Sequence, residues 1–362
     1  GKGAMESLVN ALESFRGKRV LITGDTGFKG SWLSLWLHNH GAEVFGYALP
    51  ALPHSHFNDL ALDSVIDHCD GDVRDLASLK KRFEEVQPHA VFHLAAQPLV
   101  RLSYRDPVQT FDTNIGGSTN VLECVRLTES VQALIFITSD KCYRNIEQVA
   151  GYTEEDVLGG NDPYSASKGA AELVFAAYNA SFFTHRDGLI AASARAGNVI
   201  GGGDWAEDRI IPDCIRSLQQ KSAIVIRNPH ATRPWQHVLE PLSGYIMLGS
   251  AMLKGDNSVS GSWNFGPRAD EVRSVDDVTR EVIKVWGDGS VKLDDNQNHP
   301  HEATLLQLDC SKARTELGWS PRWDFLTTMD KTVSWYQSVH QGTPALSVTQ
   351  KHLDEYEKSN RD

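Results

Sequence analysis

The 362-residue chain contains little cysteine and no long hydrophobic run. Its five cysteines are widely spaced and form no C-x-x-C pair, which argues against a disulfide framework or a zinc site. No apolar stretch is long enough to cross a membrane, and the first residues lack the basic-then-apolar pattern of a signal peptide. These absences predict a cytoplasmic protein with reduced thiols and no membrane association.

Positive charge is also scarce. The 47 acidic side chains outnumber the 35 basic ones, which gives a formal net charge of -12. This is the wrong sign for binding nucleic acid through the overall field of the protein, so any phosphate group has to be held by a local site. Hydrophobic residues make up 41% and charged residues 23%, a composition that is typical of folded proteins and excludes a disordered chain.

Short apolar runs alternate with longer segments of helical period from Arg19 to about residue 196, which is typical of βαβ units. We predict strands at Arg19–Gly24, Glu43–Leu49, Val65–Cys69, Ala90–Ala95, Ala133–Ser139 and Gly188–Arg195. We predict helices at Gly27–His38, Leu76–Val86, Val108–Leu127 and Ala166–Phe183. This order favours an α/β protein with a doubly wound, Rossmann-type parallel sheet.

The alternation stops beyond Gly197, where a glycine-rich stretch and a proline-containing segment replace it. We therefore predict a Rossmann domain at residues 1–196. Residues 197–362 are expected to form mostly a smaller C-terminal substrate-binding lobe, with some segments returning to the first domain. The polar segment after about Lys351 is expected to form a solvated helix that frays at its end.

A glycine turn follows the first predicted strand and precedes a helix of apolar period. In this turn Gly24 permits a tight reversal of the chain, Gly27 lets the backbone approach a pyrophosphate, and Gly30 allows close helix packing. The N-terminus of the helix offers unpaired N–H groups to the anion. Strand, glycine turn and helix in this order predict a dinucleotide-binding site.

The end of the second predicted strand distinguishes NAD from NADP, because an acid there binds the NAD ribose and basic residues bind the NADP phosphate. No Lys or Arg lies between Glu43 and Asp72, which favours NAD. The usual acid is absent as well, so we expect modest affinity for NAD. Asp72 has two interpretations, a contact to the adenine edge or an ordinary helix cap.

Tyr164 and Lys168 are four residues apart, a spacing that places both side chains on one face of a helix. A tyrosine must lose its proton to act as a base at neutral pH, and a neighbouring ammonium group favours the phenolate. The pair therefore predicts a proton-transfer site, with a surface i,i+4 pair as the alternative.

These motifs together resemble the extended short-chain dehydrogenase/reductases, a family of enzymes that modify nucleotide sugars, and the resemblance covers nearly the whole chain. The matching elements are Thr23-Gly24-x-x-Gly27-x-x-Gly30, Leu94-Ala95-Ala96, Asn114 and Tyr164-x-x-x-Lys168. The resemblance implies NAD as a working redox group and a homodimer or homotetramer. It also implies a cofactor site formed by Gly24, Thr26, Gly27, Phe28, Lys29, Gly30, Asp72, Val73, Leu94, Ala95, Ala96, Gln97, Thr113, Thr138, Tyr164 and Lys168.

The segment Thr138-Ser139-Asp140-Lys141 narrows the expected reaction. Sugar epimerases of the family usually have Ser or Thr and small residues at the last two positions. An adjacent acid and base resemble the 4,6-dehydratases, whose dTDP-glucose branch has Asp-Glu and whose CDP-glucose branch has Asp-Lys. The resemblance implies that Tyr164 takes the 4-hydroxyl proton with help from Ser139 or Thr138. Asp140 would then be the acid at the 6-hydroxyl and Lys141 the base at C5, whereas a salt-bridged strand end is the structural alternative.

The expected reaction is the NAD-dependent conversion of CDP-D-glucose to CDP-4-keto-6-deoxy-D-glucose, for dideoxysugar synthesis. The alternatives are a dTDP-sugar 4,6-dehydratase, a nucleotide-sugar 4-epimerase and an inactive NAD-binding scaffold protein. Candidate substrate-binding residues are Ser103, Asn198, Arg209, Arg233 and His237, of which the two arginines suit the pyrophosphate. His237 has a buried structural role as its alternative.

Two histidine-containing clusters raise the question of a metal ion. They are His54-Ser55-His56 and His299-Pro300-His301-Glu302. Both lack the helical spacing and the supporting ligands of a strong site, so we predict no metal.

Overall fold

The computed structural model describes residues 7–294 and 305–359 of an α/β protein. The strands are β1 (Arg19–Thr23), β2 (Glu43–Ala48), β3 (Asp67–Asp70), β4 (Ala90–His93), β5 (Ala133–Ile137), β6 (Ile190–Ala196), β7 (Val199–Ile200), β8 (Ile224–Ile226), β9 (Thr232–Arg233), β10 (Gln236–His237), β11 (Gly261–Phe265), β12 (Arg273–Ser274) and β13 (Val291–Leu293). The helices are α1 (Leu8–Glu13), α2 (Phe28–Asn39), α3 (His56–Asp59), α4 (Leu76–Val86), α5 (Val100–Arg105), α6 (Pro107–Phe111), α7 (Ser118–Leu127), α8 (Pro163–Ser181), α9 (Ile210–Gln219), α10 (Leu239–Leu253), α11 (Val275–Trp286), α12 (Phe325–His340) and α13 (Ala345–Lys358).

Seven strands form one parallel sheet in the order β11-β6-β5-β4-β1-β2-β3. All six strands predicted from the alternation lie in this sheet, which confirms the doubly wound fold. The strand order reverses between β1 and β4, and ligands of such sheets bind in the crevice outside the carboxyl ends of the strands at this point. The glycine turn follows β1 and the segment from Leu94 follows β4, so both lie at that crevice.

Helices cover both faces of the sheet, which explains why successive residues of its strands are apolar. Val20 and Ile22 of β1 pack into one hydrophobic cluster, whereas Leu21 between them packs into the other. Successive side chains of a strand point to opposite faces, and a parallel sheet with helices on both sides buries both sets.

The seventh strand, β11, was not predicted. It pairs in parallel with β6 and places Trp263 opposite Ala194. Its sequence begins with Gly261 and Ser262 and contains Asn264, so its short apolar content does not stand out as a strand. The chain thus returns to the sheet after passing through α9 and α10.

The C-terminal segment corrects a further expectation. Helix α13 continues to Lys358 and is packed against the protein, with Leu353 and Tyr356 fully buried. The Tyr356 hydroxyl donates a 2.6 Å hydrogen bond to Glu240, and Trp36 of α2 donates to Glu357 at 2.8 Å. The many polar residues of α13 obscure the apolar face of this helix in the sequence. In the structure that face packs against the protein beside α2 and α10.

Within residues 7–294 and 305–359, the helices are too short or too polar to cross a membrane.

Candidate active site

The glycine turn has the geometry of an anion cradle. Gly24 has a φ of +80°, and a Cβ there would lie 2.7 Å from the backbone nitrogen of Ala95. A Cβ on Gly30 would lie 2.1 Å from the carbonyl oxygen of Gly24, so the helix approaches the turn closely. Gly27 caps α2 without a side-chain hydrogen bond, which leaves the first N–H groups of the helix for a ligand. The turn therefore fits a dinucleotide pyrophosphate.

The predicted cofactor residues, the three glycines included, divide into two groups by their exposure to solvent. The part-exposed group at the crevice consists of Gly24, Thr26, Phe28, Lys29, Asp72, Leu94, Ala95, Ala96 and Thr113, with Gly27 more exposed than these. The second group is buried and consists of Gly30, Val73, Gln97, Thr138, Tyr164 and Lys168.

Several of these side chains already have partners within the protein. The carboxylate of Asp72 accepts a 2.6 Å hydrogen bond from Arg74, which holds the pKa of Asp72 below its ordinary value. The amide of Gln97 donates to Thr110 at 2.9 Å, so it supports the loop from inside. Asp72 thus has a partner that neither sequence interpretation included.

The helix α8 brings Tyr164 and Lys168 to the cleft. Asp162 caps it by accepting hydrogen bonds from the backbone and hydroxyl of Ser165, and Pro163 occupies the first turn. These two residues explain why α8 begins three residues before the predicted start at Ala166.

Burial dominates the titration of both predicted proton-transfer groups. It raises the pKa of Tyr164 to about 12, opposed by a hydrogen bond with Ser139 and by the charge of Arg209. It lowers the pKa of Lys168 to about 8, opposed by the charge of Glu172. The phenol therefore needs nearby cations before it can act as a base at neutral pH.

The turn after β5 carries Asp140 and Lys141. The hydroxyl of Ser139 donates to Asp140 Oδ1 at 2.8 Å and accepts from the backbone nitrogen of Lys141 at 3.3 Å. Asp140 is 2% exposed and its Oδ2 has no hydrogen-bond partner within the described protein. A Cβ on Gly197 would lie 1.9 Å from that oxygen, so glycine is needed there. These hydrogen bonds, which run through the Ser139 hydroxyl, differ from the Asp140–Lys141 ion pair that a salt-bridged strand end would have.

Cations from three parts of the chain converge beside these residues. Burial, together with the charges of Arg209 and Lys168, lowers the pKa of Lys29 to about 7, while Asp140 opposes the shift. Arg209 is held by a 2.8 Å ion pair with Asp204, a residue that sequence reasoning did not select. The glycine turn, the helix α8 and the start of α9 thus face one cleft.

The remaining substrate candidates are dispersed. Asn198 has a φ of +48° in the turn between β6 and β7, and Arg233 lies on β9 opposite Arg273. Ser103 is fully buried and donates to the carbonyl oxygen of Val100 at 2.6 Å. The structure therefore turns the Ser103 side chain into its own helix rather than toward the cleft.

His237 likewise has contacts within the protein. It is fully buried, accepts a 3.3 Å hydrogen bond from the backbone nitrogen of Leu239, and packs against Trp323 and Trp32. These contacts are those expected of a buried structural histidine.

The described residues contain no group of three or more His, Cys, Asp or Glu side chains arranged to hold a metal ion. His56 is buried and stacks on Trp32 at 5.2 Å between ring centres. The cluster His299-Pro300-His301-Glu302 lies outside the described residues.

Comparison with known proteins identifies the family. The model of the GDP-mannose 4,6 dehydratase family matches residues 21–332. The chain belongs to this family. CDP-glucose 4,6-dehydratase of Salmonella typhimurium is 48% identical over 348 residues, which cover 94% of this chain and 97% of the relative. dTDP-glucose 4,6-dehydratase of Haemophilus influenzae is 26% identical over 340 residues, which cover 88% and 97%.

A solved structure shares the fold of this chain. The UDP-glucose 4-epimerase of Thermus thermophilus, in complex with NAD, superimposes with a TM-score of 0.74 at 25% identity. The match covers 88% of this chain and 99% of the epimerase. The family resemblance drawn from the sequence is confirmed.

Proposed function

We propose that this chain is a hydro-lyase that converts CDP-D-glucose to CDP-4-keto-6-deoxy-D-glucose with NAD as a recycled cofactor. The observation that carries the proposal is the Asp140-Lys141 pair at the end of β5, next to Tyr164 and Lys168. Support comes from the 48% identity to the Salmonella CDP-glucose enzyme over almost its full length.

NAD would be held by the glycine turn and the crevice residues between β1 and β4. The NAD complex of the related epimerase supports this assignment. When bound, NAD supplies a reversible two-electron oxidation of the sugar. Phe28 and Lys29 at the start of α2 would face the pyrophosphate together with Gly27.

Tyr164 takes the proton of the sugar 4-hydroxyl in this mechanism. Ser139 hydrogen-bonds to the tyrosine, and the positive charge of Arg209 favours the phenolate. Lys168, one turn along α8, adds an ammonium group on the same side. The resulting 4-ketone makes the C5 proton acidic, which permits the elimination of water.

Asp140 and Lys141 divide the elimination between them. Lys141 removes the C5 proton, and Asp140 gives a proton to the departing 6-hydroxyl. The elimination removes one proton from C5 and one hydroxyl from C6, so water is released and a C5–C6 double bond remains. Return of the C4 hydride to C6 and of a proton to C5 then gives the 4-keto-6-deoxy sugar, with no net oxidation and the nucleotide unchanged. Asp140 Oδ2, which has no partner in the described protein, is the atom assigned to that hydroxyl.

Arg209 and Arg233 are the proposed ligands of the substrate pyrophosphate, since guanidinium groups form paired hydrogen bonds with phosphate oxygens. Asn198 is assigned to the same site. Ser103 is left out because its hydroxyl donates to the carbonyl oxygen of Val100, and His237 because its ring packs against Trp323 and Trp32.

A cytoplasmic homodimer or homotetramer completes the proposal. The five cysteines are free thiols, which suits a reducing compartment. Val108 of α6 and Leu173 of α8 are 77% and 61% exposed, and such apolar side chains suit an interface between subunits.

Proton NMR of CDP-glucose incubated with the protein and NAD in deuterated water tests the function, with dTDP-glucose as the control. We expect a 6-methyl signal and deuterium at C5 from CDP-glucose alone. Turnover of dTDP-glucose instead would overturn the nucleotide assignment. The absence of a methyl signal from both sugars would overturn the dehydratase proposal in favour of an epimerase or a binding protein.

A further inference from the structure

A buried ion pair lies behind the proposed proton-transfer residues. Glu172 of α8 is 1% exposed at its side chain and Arg195 of β6 is 3% exposed. Nη2 of Arg195 donates to Oε2 of Glu172 at 2.7 Å. Glu172 follows Tyr164 and Lys168 on the same stripe of α8, at successive intervals of four residues.

Each member of the pair binds one flank of the turn that carries Asp140 and Lys141. On the N-terminal side, the hydroxyl of Thr138 donates to Oε1 of Glu172. On the C-terminal side, Nη1 of Arg195 donates to the Tyr143 hydroxyl at 2.7 Å. The guanidinium of Arg195 also lies over the Tyr143 ring, 5.0 Å from its centre.

The turn is held close to α8 by the backbone as well. A Cβ on Gly169 would lie 3.1 Å from the carbonyl oxygen of Cys142, so glycine permits this approach. The same carbonyl accepts a 2.8 Å hydrogen bond from the backbone nitrogen of Gly159. The turn therefore has little room to move relative to the helix that carries Tyr164 and Lys168.

We propose that Glu172 and Arg195 are positioning residues for the elimination of water, because they fix the segment 138–143 against α8 from both sides. Thr138 and Tyr143 transmit this restraint to Asp140 and Lys141. Thr138, a predicted cofactor contact, has its hydroxyl directed to Glu172 instead of the cleft. The inference rests on the proposed function, since it assigns the restraint to one step of that reaction.

The neutral members of the network provide the test. Removal of Glu172 or Arg195 alone would leave the other as a buried unpaired charge, which threatens folding. Thr138→Val and Tyr143→Phe each remove one hydroxyl on a flank of the turn. Ser193→Ala is the matched control, because Ser193 also donates to Glu172, at 2.8 Å, but lies on β6 outside the segment.

Two readouts separate positioning from general stability. The first is stopped-flow absorbance of the reduced nicotinamide, which reports oxidation at C4, compared with methyl formation by NMR. In Thr138→Val and Tyr143→Phe we expect C4 oxidation at the wild-type rate and elimination slowed about 10- to 100-fold, because small displacements of reacting groups have effects of this size. The second is amide hydrogen exchange without substrate, which should rise in residues 139–143 in these variants only.

Ser193→Ala should leave both readouts unchanged, and Thr138→Ser should restore the elimination rate. The proposal is overturned if Thr138→Val and Tyr143→Phe slow the two steps equally, or if neither step and neither exchange pattern changes. Wild-type protein measured alongside distinguishes a failure of the positioning role from a failure of the proposed function. If it produces the methyl signal while the variants behave like wild type, the positioning role fails and the proposed function stands.

Discussion

Oδ2 of Asp25 lies 2.7 Å from Nδ1 of His68, and the Asp25 side chain is fully buried within the glycine turn. His68 also lies 3.1 Å from Asp70 through its second ring nitrogen. A Cβ on Gly46 would come within 2.0 Å of the same Asp25 oxygen, so the β2 strand needs glycine at that position. The cofactor turn is thus tied to β3 by a histidine between two acids.

Replacement of His68 by glutamine should make stability less dependent on pH. Burial opposes a charge on His68, but Asp25 and Asp70 together raise its pKa above the ordinary value of 6.5. The stabilisation that charged His68 provides by pairing with these two acids is full below pH 6.5, and it is lost as the pH rises through the raised pKa of His68. His68→Gln should therefore lower the free energy of unfolding by about 2 kcal/mol at pH 6, and by less at pH 9.

Urea unfolding at the two pH values measures this difference. His230→Gln, which changes an exposed histidine, serves as the control and should have no effect. An equal loss of stability at pH 6 and pH 9 would contradict an ionic link between His68 and Asp25.

Lys141→Ala should abolish proton removal from C5 while leaving the fold and NAD binding intact. A positioned base contributes roughly 10²- to 10⁴-fold, so C5 exchange with deuterated solvent and methyl formation should both fall by that factor. NMR in deuterated water measures both, and Lys81→Ala, at a lysine 77% exposed at its side chain, is the control. Normal C5 exchange in the variant would exclude Lys141 as the base.

The fold was largely predictable because the strongest signals were local. The apolar runs and the glycine turn specify β1 to β6 and the start of α2. The strand β11 was missed because Gly261, Ser262 and Asn264 dilute its apolar pattern, and only its pairing with β6 makes it a strand. A helix was predicted after about Lys351, but the packing of α13 was not, because its partners, among them Glu240 and Trp36, are distant in sequence.

The site was predictable where residues are adjacent in sequence, as Asp140 and Lys141 are, or one helical turn apart. Partners contributed by other elements could not be predicted. Glu172 could have been noticed one turn beyond Lys168, but its pairing with Arg195 depends on the packing of α8 against β6. Ser103 and His237 were chosen from their segments, and burial of their side chains became evident only in three dimensions.

Gly30→Ala and Gly27→Ala should affect the cofactor turn differently. A Cβ at position 30 would lie 2.1 Å from the Gly24 carbonyl oxygen, whereas one at position 27 would meet that oxygen at 3.2 Å. Gly30→Ala should therefore destabilise the fold by more than about 2 kcal/mol. Gly27→Ala should fold and bind NAD more weakly, because its methyl group lies where the backbone approaches the pyrophosphate.

Urea unfolding and isothermal titration with NAD measure the two effects. Gly188→Ala is a control for a glycine of positive φ with open space around it, and NAD affinity should not change there. Wild-type NAD affinity in Gly27→Ala would contradict the assignment of the turn. Purified wild-type protein saturated with NAD would contradict the modest affinity expected from the missing acid at the end of β2.

Acid should destabilise the protein through its buried histidines, among them His56, His237 and His352. Burial lowers the pKa of His56 to about 3, that of His352 to about 4 and that of His237 well below 6.5. The unfolded chain binds protons at these sites below pH 6.5 and the folded chain does not, so stability falls as the pH falls. At pH 5 each histidine should contribute about 2 kcal/mol of this loss relative to neutral pH.

His56→Leu tests the contribution of one histidine. Both ring nitrogens of His56 are buried without a hydrogen-bond partner in the described protein, and the ring packs on Trp32. The variant should lose about 2 kcal/mol less than wild type between pH 7 and pH 5, whatever its stability at pH 7, because it has one proton fewer to bind on unfolding. Urea unfolding at both pH values measures the loss, and His230→Gln should match wild type. If His56→Leu lost as much stability as wild type, the acid sensitivity would originate in other groups.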